Sequence, residues 1–218
     1  MPQEQPAPAP LLNQPKQARS RQTVTSILEA AAELFTTQGY DNTSTSDIAT
    51  RAGKPVGSVY TYFKDKRQIL LALWDLLYRE EAEAALAELT VTDGVDVRTA
   101  ISKAVTRLFE RQMLYRKLSP TIAYLATQDA EVGARVRELN QVALARLQEF
   151  LQAIHERGLG YIPDPEAAAL VVQVAAETLA GMGLPYTGHI SRRRVETALT
   201  DMISCFISAD AGSSAKPR

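Results

Sequence analysis

Ser44, Thr45, Lys54, Ser58, Tyr60, Thr61, Tyr62 and Lys66 crowd into one short stretch, STSDIATRAGKPVGSVYTYFKDK. Their side chains are hydroxyls, phenols and ammonium groups, a set of hydrogen-bond donors and acceptors. Phosphate oxygens and base edges are the partners that such groups read. Bond-making chemistry has little to work with in this sequence. No nucleophile–base pair, metal-ligand spacing or phosphate-cradling glycine loop stands out. Cys205 is the only cysteine, and His155 and His189 are the only histidines. A disulfide within the chain is therefore excluded, and a Cys/His zinc site is not expected. The expectation is a protein that is not an enzyme and needs neither cofactor nor metal.

Three helical segments must position these donors. Ser44 stands three residues before Asp47, a capping-box spacing that starts a helix, with Ile48, Ala49 and Ala52 on one face. Gly53 ends it, because the position past a helix C-cap favours a residue that tolerates positive φ. After Lys54 and Pro55 a second short helix carries Val56, Val59, Tyr60 and Phe63. Asp65 then caps a third, with Gln68 at capping-box distance. Two short helices across a tight glycine-containing turn form a helix-turn-helix, whose second helix can enter a DNA major groove.

In register across residues 24–70, this run resembles the DNA-binding domain of the TetR family of transcriptional regulators. The resemblance is carried by Thr43, Ile48, Ala49, Ala52, Gly53, Gly57, Tyr60, Phe63 and Lys66, preceded by the helix ending AELFTTQGY at Tyr40. It implies phosphate contacts from Tyr60 and Lys66. One position departs from the pattern. Pro55 stands where family members usually have a small hydroxyl residue, so a hydroxyl cap and any phosphate contact from it are lost.

The residue types add further candidates. Tyr62 is placed to reach the DNA backbone, and Ser44 and Thr45 suit phosphate binding at a helix N-terminus. Val56, Ser58 and Thr61 face bases, with Lys54 reaching a base or a phosphate. None of the three can make the bidentate contacts of Arg to guanine or Asn to adenine. Gly57 is the second residue of that helix, an odd place for a poor helix former. Close approach of its backbone to DNA explains the choice, and a local packing constraint is the alternative.

Charge follows the same division. From Lys16 to Arg67, eight basic residues face five acidic ones, a balance of +3 in a chain whose net charge is −1. A small basic head on an acidic body suits contact with DNA at one end. The 218 residues, 45% of them hydrophobic, contain no run long enough to span a membrane and no signal-peptide pattern at the N-terminus, so the expected compartment is the cytoplasm.

The fold expected is all-α, in two domains. Residues 1–18 read as a disordered arm, 19–66 as the helix-turn-helix domain, 67–209 as a helical body and 210–218 as a disordered tail. Within the body, helices are expected over about 96–115, from Ser119-Pro120 onward, and over 131–157, 164–183 and 191–208. Arg135 is expected on the outer, charged face of the 131–157 helix. The 164–183 helix is apolar nearly all round. Its small residues Ala175, Ala176, Ala180 and Gly181, beside Leu199, Met202 and Phe206, suit pairing across a two-fold axis. A homodimer is expected, since one short recognition helix reads too few bases for useful specificity.

The resemblance also implies a small-molecule effector bound in the body. Trp74, Tyr78, Phe109, Met113, Tyr115, Tyr124 and Gln173 are the candidate lining, and their aromatic character points to an apolar or aromatic compound. The whole then reads as a dimeric repressor, released from double-stranded operator DNA by that compound. The rival readings are a helical adaptor that has lost DNA binding and an enzyme with a helical body.

Overall fold

A computed structural model describes residues 11–87, 89, 96–110, 113–181 and 190–208. Those residues form nine α-helices and no strand: α1 (Ala18–Thr37), α2 (Thr45–Arg51), α3 (Val56–Tyr62), α4 (Lys66–Ala87), α5 (Val97–Glu110), α6 (Met113–Gln128), α7 (Ala130–Glu156), α8 (Pro165–Gly181) and α9 (Arg192–Ser208). None of these helices is long and apolar enough to cross a membrane. The chain divides into two compact units, one within residues 1–79 and 112–139, the other within 80–111 and 140–218. Helices α4 and α7 contribute residues to both.

In the first unit the apolar stripes of α1 to α4 close on one another. Ile27, Ile48, Val59, Phe63, Ile69 and Leu70 are completely buried. Between these helices the chain turns by polar devices. The Ser44 hydroxyl accepts from the Asp47 N–H at 3.1 Å, and the Ser44 N–H donates to the Asp47 carboxylate at 2.8 Å. At the other end of α2, Gly53 adopts a φ of 63°. Its N–H and that of Lys54 reach the carbonyls of Thr50 and Ala49, at 3.1 and 3.0 Å. That pair of bonds is a Schellman stop, and only glycine enters it without a Cβ penalty.

The second unit is held almost entirely by hydrocarbon. Ile101, Val105 and Phe109 of α5, Phe150, Leu151 and Ile154 of α7, and Leu199, Ile203 and Ile207 of α9 form one buried cluster. Ala176 and Leu199, expected to pair with a second copy, belong to this internal core. The expected pairing of Ala180 and Gly181 lies outside the residues whose side chains are described.

Two further expectations are corrected. Pro120 does not open a helix; it lies inside α6, which begins at Met113. An internal proline costs roughly 3 kcal/mol. Leu118 and Ile122, four residues apart and both buried, keep the helix continuous by what they bury. Arg135 does not lie on an outer face. Its Nε donates to Asp75 Oδ1 at 2.6 Å, and Asp75 is only 2% exposed. A carboxylate buried that deeply on α4 needs a cation, and α7 turns Arg135 inward to supply it. Burial alone would lower the Arg135 pKa, but the hydrogen bonds to Asp75 and Glu138 carry it above its usual value.

Candidate DNA-binding face and internal cavity

Helix α3 presents a continuous outer face of Val56, Gly57, Tyr60 and Thr61, all exposed. Pro55 is its N-cap, and no side chain caps the helix there. The Thr61 hydroxyl donates to the Gly57 carbonyl at 3.0 Å, which fixes its rotamer against the helix. Ser58 and Tyr62 are half-buried at the margins of this face, and Lys54 is half-buried in the turn before it. A Cβ built on Gly57 would meet nothing within 4 Å. Packing inside the chain therefore does not require glycine at this position.

The turn between α1 and α2 is stapled from α4. Lys66 Nζ donates to the carbonyls of Tyr40 and Asp41, at 2.6 and 3.4 Å, and lies 4.3 Å from the centre of the Tyr40 ring. Burial, with Asp65 nearby, raises the Tyr40 phenol above its usual pKa. Next along, Arg67 is committed to Asp129 and to Glu131, the latter at 2.8 Å. The Arg67 hydrogen bond holds the Asp129 carboxyl below the usual range. Arg51 pairs with Glu33. Of the basic residues counted in the head, Arg51 and Arg67 are thus neutralised within the chain. The Ser44 hydroxyl is likewise engaged with Asp47, whose pKa it lowers. Thr45 beside it is half-buried.

Residues 11–17 run against the end of α3, where the sequence suggested an unstructured arm. The Leu12 N–H donates to the Tyr62 carbonyl at 2.9 Å, and Asn13 Nδ2 donates to the Thr61 carbonyl at 2.7 Å. The last carbonyls of any helix lack partners within it, and here the arm supplies two donors. Asn13 was not a candidate from sequence. A Pro/Gln/Ala-rich context gives no sign of a contact made 48 residues away.

In the second unit α5, α7, α8 and α9 line a partly open cavity of about 100 Å³. Val105, Leu108, Leu147, Phe150, Val172 and Ile203 supply much of its wall, with Gln173 and Glu177 as its polar members. Outside the same unit, Leu170, Val171 and Val174 of α8 are each more than half exposed. Met202 and Phe206 of α9 are about as open, at 53% and 48%.

The family model for bacterial regulatory proteins of the tetR family matches residues 27–73, which hold α2, α3 and the Lys66 staple. These residues carry a tetR-family domain. The uncharacterized regulator YhgD of Bacillus subtilis is 26% identical over 151 residues, 67% of this chain and 76% of that one. Other curated relatives are matched over less than half of their length. Among solved structures, SmeT in complex with triclosan superposes with a TM-score of 0.69 at 21% identity, covering 90% of this chain and 98% of that one. FadR of Bacillus subtilis in complex with stearoyl-CoA gives 0.69 at 17%, covering 82% and 96%. At those identities the likeness shows the fold.

The candidate effector residues all lie outside the matched stretch. They are not gathered in one place. Gln173 lines the cavity. Trp74 and Tyr78 are buried in the first unit, with ring centres 6.5 Å apart. Phe109 belongs to the core of the second unit, outside the lining of its cavity. Tyr124 is 64% exposed in a cleft of the first unit, beside Tyr40 and Pro120. The side chains of Met113 and Tyr115 lie outside the described residues.

Proposed function

We propose that the protein is a TetR-family transcriptional regulator, a cytoplasmic homodimeric repressor released from its operator by a small, largely apolar effector bound in the second unit. The observation that carries this reading is the pairing of features in that unit. An apolar cavity lies on the inner side of α8 and α9, and an uncovered apolar stripe lies on their outer side. The stripe is suited to a second copy of the chain. Hydrocarbon of this extent left in water is unfavourable at about 25 cal/mol per Å². A two-fold partner would cover it with the same residues. SmeT in complex with triclosan and FadR in complex with stearoyl-CoA are precedents for a small molecule bound to this fold.

In this reading the head is residues 19–66 and the body 67–209. Val56, Ser58 and Thr61 face the bases, with Lys54 at the edge of the groove. Tyr60, Tyr62, Ser44, Thr45 and the third donor of Lys66 hold phosphates, and Gly57 lets the helix backbone come close. Two such heads must be spaced about one DNA turn apart, near 34 Å, to dock together. An effector that favours a mis-spaced state by a few kcal/mol would empty the operator. Helices α4 and α7, which contribute to both units, give the change a covalent route.

The test is a titration of hydrophobic compounds against the complex with an operator fragment, following DNA release by anisotropy. Fluorescence of Trp74, the only tryptophan, is followed in the same samples. Release that saturates with compound, together with a dimer by light scattering, is the expected result. A monomer at micromolar concentration, or DNA binding indifferent to every compound that the body binds, refutes the reading.

A further inference from the structure

The cavity in the second unit has one polar feature whose direction is fixed. Gln173 Nε2 donates to the carbonyl of Asn140 and to the carboxylate of Glu177, each at 3.3 Å. Both partners can only accept. Reversing the amide would set its oxygen against two acceptors, so the orientation is determined by chemistry. Gln173 Oε1 is consequently left buried, with no hydrogen-bond partner. A buried acceptor without a donor is costly, and such atoms are rare in native proteins.

Charge and size narrow the occupant further. Among the described residues that line the cavity, Glu177 is the one ionisable group. A carboxylate or phosphate brought into this space would be set against two acceptors, the Gln173 oxygen and the Glu177 carboxylate. The volume of about 100 Å³ is small. Drug-sized sites run to roughly 300–1,000 Å³, whereas an engineered apolar cavity of about 150 Å³ binds benzene. A single ring or short chain fits this scale.

We propose that the effector is a small uncharged molecule, a single ring or short chain, bearing one hydroxyl or N–H donor that bonds to Gln173 Oε1. This deepens the effector reading above and rests on it. The acceptor acts as a filter: the hydrogen bond orients a phenol-like ligand and discriminates against its ether and against acids of the same shape.

Calorimetric titration of the full chain with 4-ethylphenol, 4-ethylanisole and 4-ethylbenzoate tests the proposal. The phenol should bind about tenfold more tightly than the anisole, which leaves Gln173 Oε1 unsatisfied. The benzoate should be weaker than either. In Gln173→Leu, phenol and anisole should bind alike. The unaltered protein's own ranking stands even if that variant fails to fold. Equal affinity for phenol and anisole, tightest binding of the benzoate, or no binding of any of the three at millimolar concentration overturns the proposal. The effector reading fails separately: its failure is a phenol that binds the cavity and leaves operator affinity unchanged.

Discussion

The outward faces of α3 and α8 are both open to solvent, but their chemistry is opposed. On α3, Val56, Gly57, Tyr60 and Thr61 offer a small mixed surface on which the Thr61 hydroxyl is held by its own helix. Water satisfies such a face, so nothing in folding demands that it be covered. On α8, Leu170, Val171 and Val174 present hydrocarbon that the rest of the chain leaves open. Each such side chain gains about 1.5–3 kcal/mol when fully buried. The first face is suited to a hydrated, charged partner that is read and released. The second is suited to a permanent apolar one. In the proposed reading, the difference separates what the regulator binds from what it is built with.

The largest expected effect comes from spoiling the apolar face. Val174→Arg should weaken self-association by about 3–5 kcal/mol, the cost of burying an unpaired charge. The chain should still fold to its full helix content, because the position is exposed within it. Size-exclusion chromatography with light scattering measures the first quantity and circular dichroism the second. A variant that remains dimeric moves the interface elsewhere and removes the contrast.

Lys66→Ala sharpens the polar side. Losing a charged donor to the Tyr40 carbonyl should cost roughly 1.5–3 kcal/mol of stability. The slope of log affinity against log salt should also fall by about 0.9, because the ammonium has three donors and two go to carbonyls. A stability loss with an unchanged slope would make Lys66 a staple alone.

Gly57→Ala sets fold against function most cleanly. Its Cβ finds open space, so the helix should gain about 0.5–1 kcal/mol. Operator affinity should nevertheless drop by about tenfold, as the new methyl group keeps the helix from the DNA surface. Unchanged affinity would mean that this end of α3 does not approach closely. The smallest effect is expected at Asn13→Ala. Removing its bond to the Thr61 carbonyl should cost about 1 kcal/mol, seen as faster amide exchange near the end of α3. Equal exchange in both proteins would leave the arm without a role in holding that helix.

The two faces also differ in how readable they were. The head announces itself locally. Ser44 and Asp47, Gly53, and Asp65 with Gln68 are punctuation marks whose partners lie within a few residues, so sequence spacing captures them. The long-range contacts are silent. Nothing near Asn13 signals Thr61, and nothing in the charged run of α7 says that Arg135 turns inward to Asp75. Helix α8 hides its sides for another reason. A helix apolar all round has no periodicity to show which side meets the cavity, which the core and which the outside. Pro120 misleads for a related cause: a local rule starts a helix there, and burial of Leu118 and Ile122 overrides it.

Selection of bound duplexes from a random pool, followed by sequencing, tests most directly the claim that two copies of the α3 face, joined through the α8–α9 stripe, read DNA together. The account predicts an enriched inverted repeat, with half-sites centred about one helical turn, roughly 10 base pairs, or a multiple of it apart. Val174→Arg should lose that enrichment. A single asymmetric site bound by the unaltered protein, enriched equally by the variant, would contradict the account.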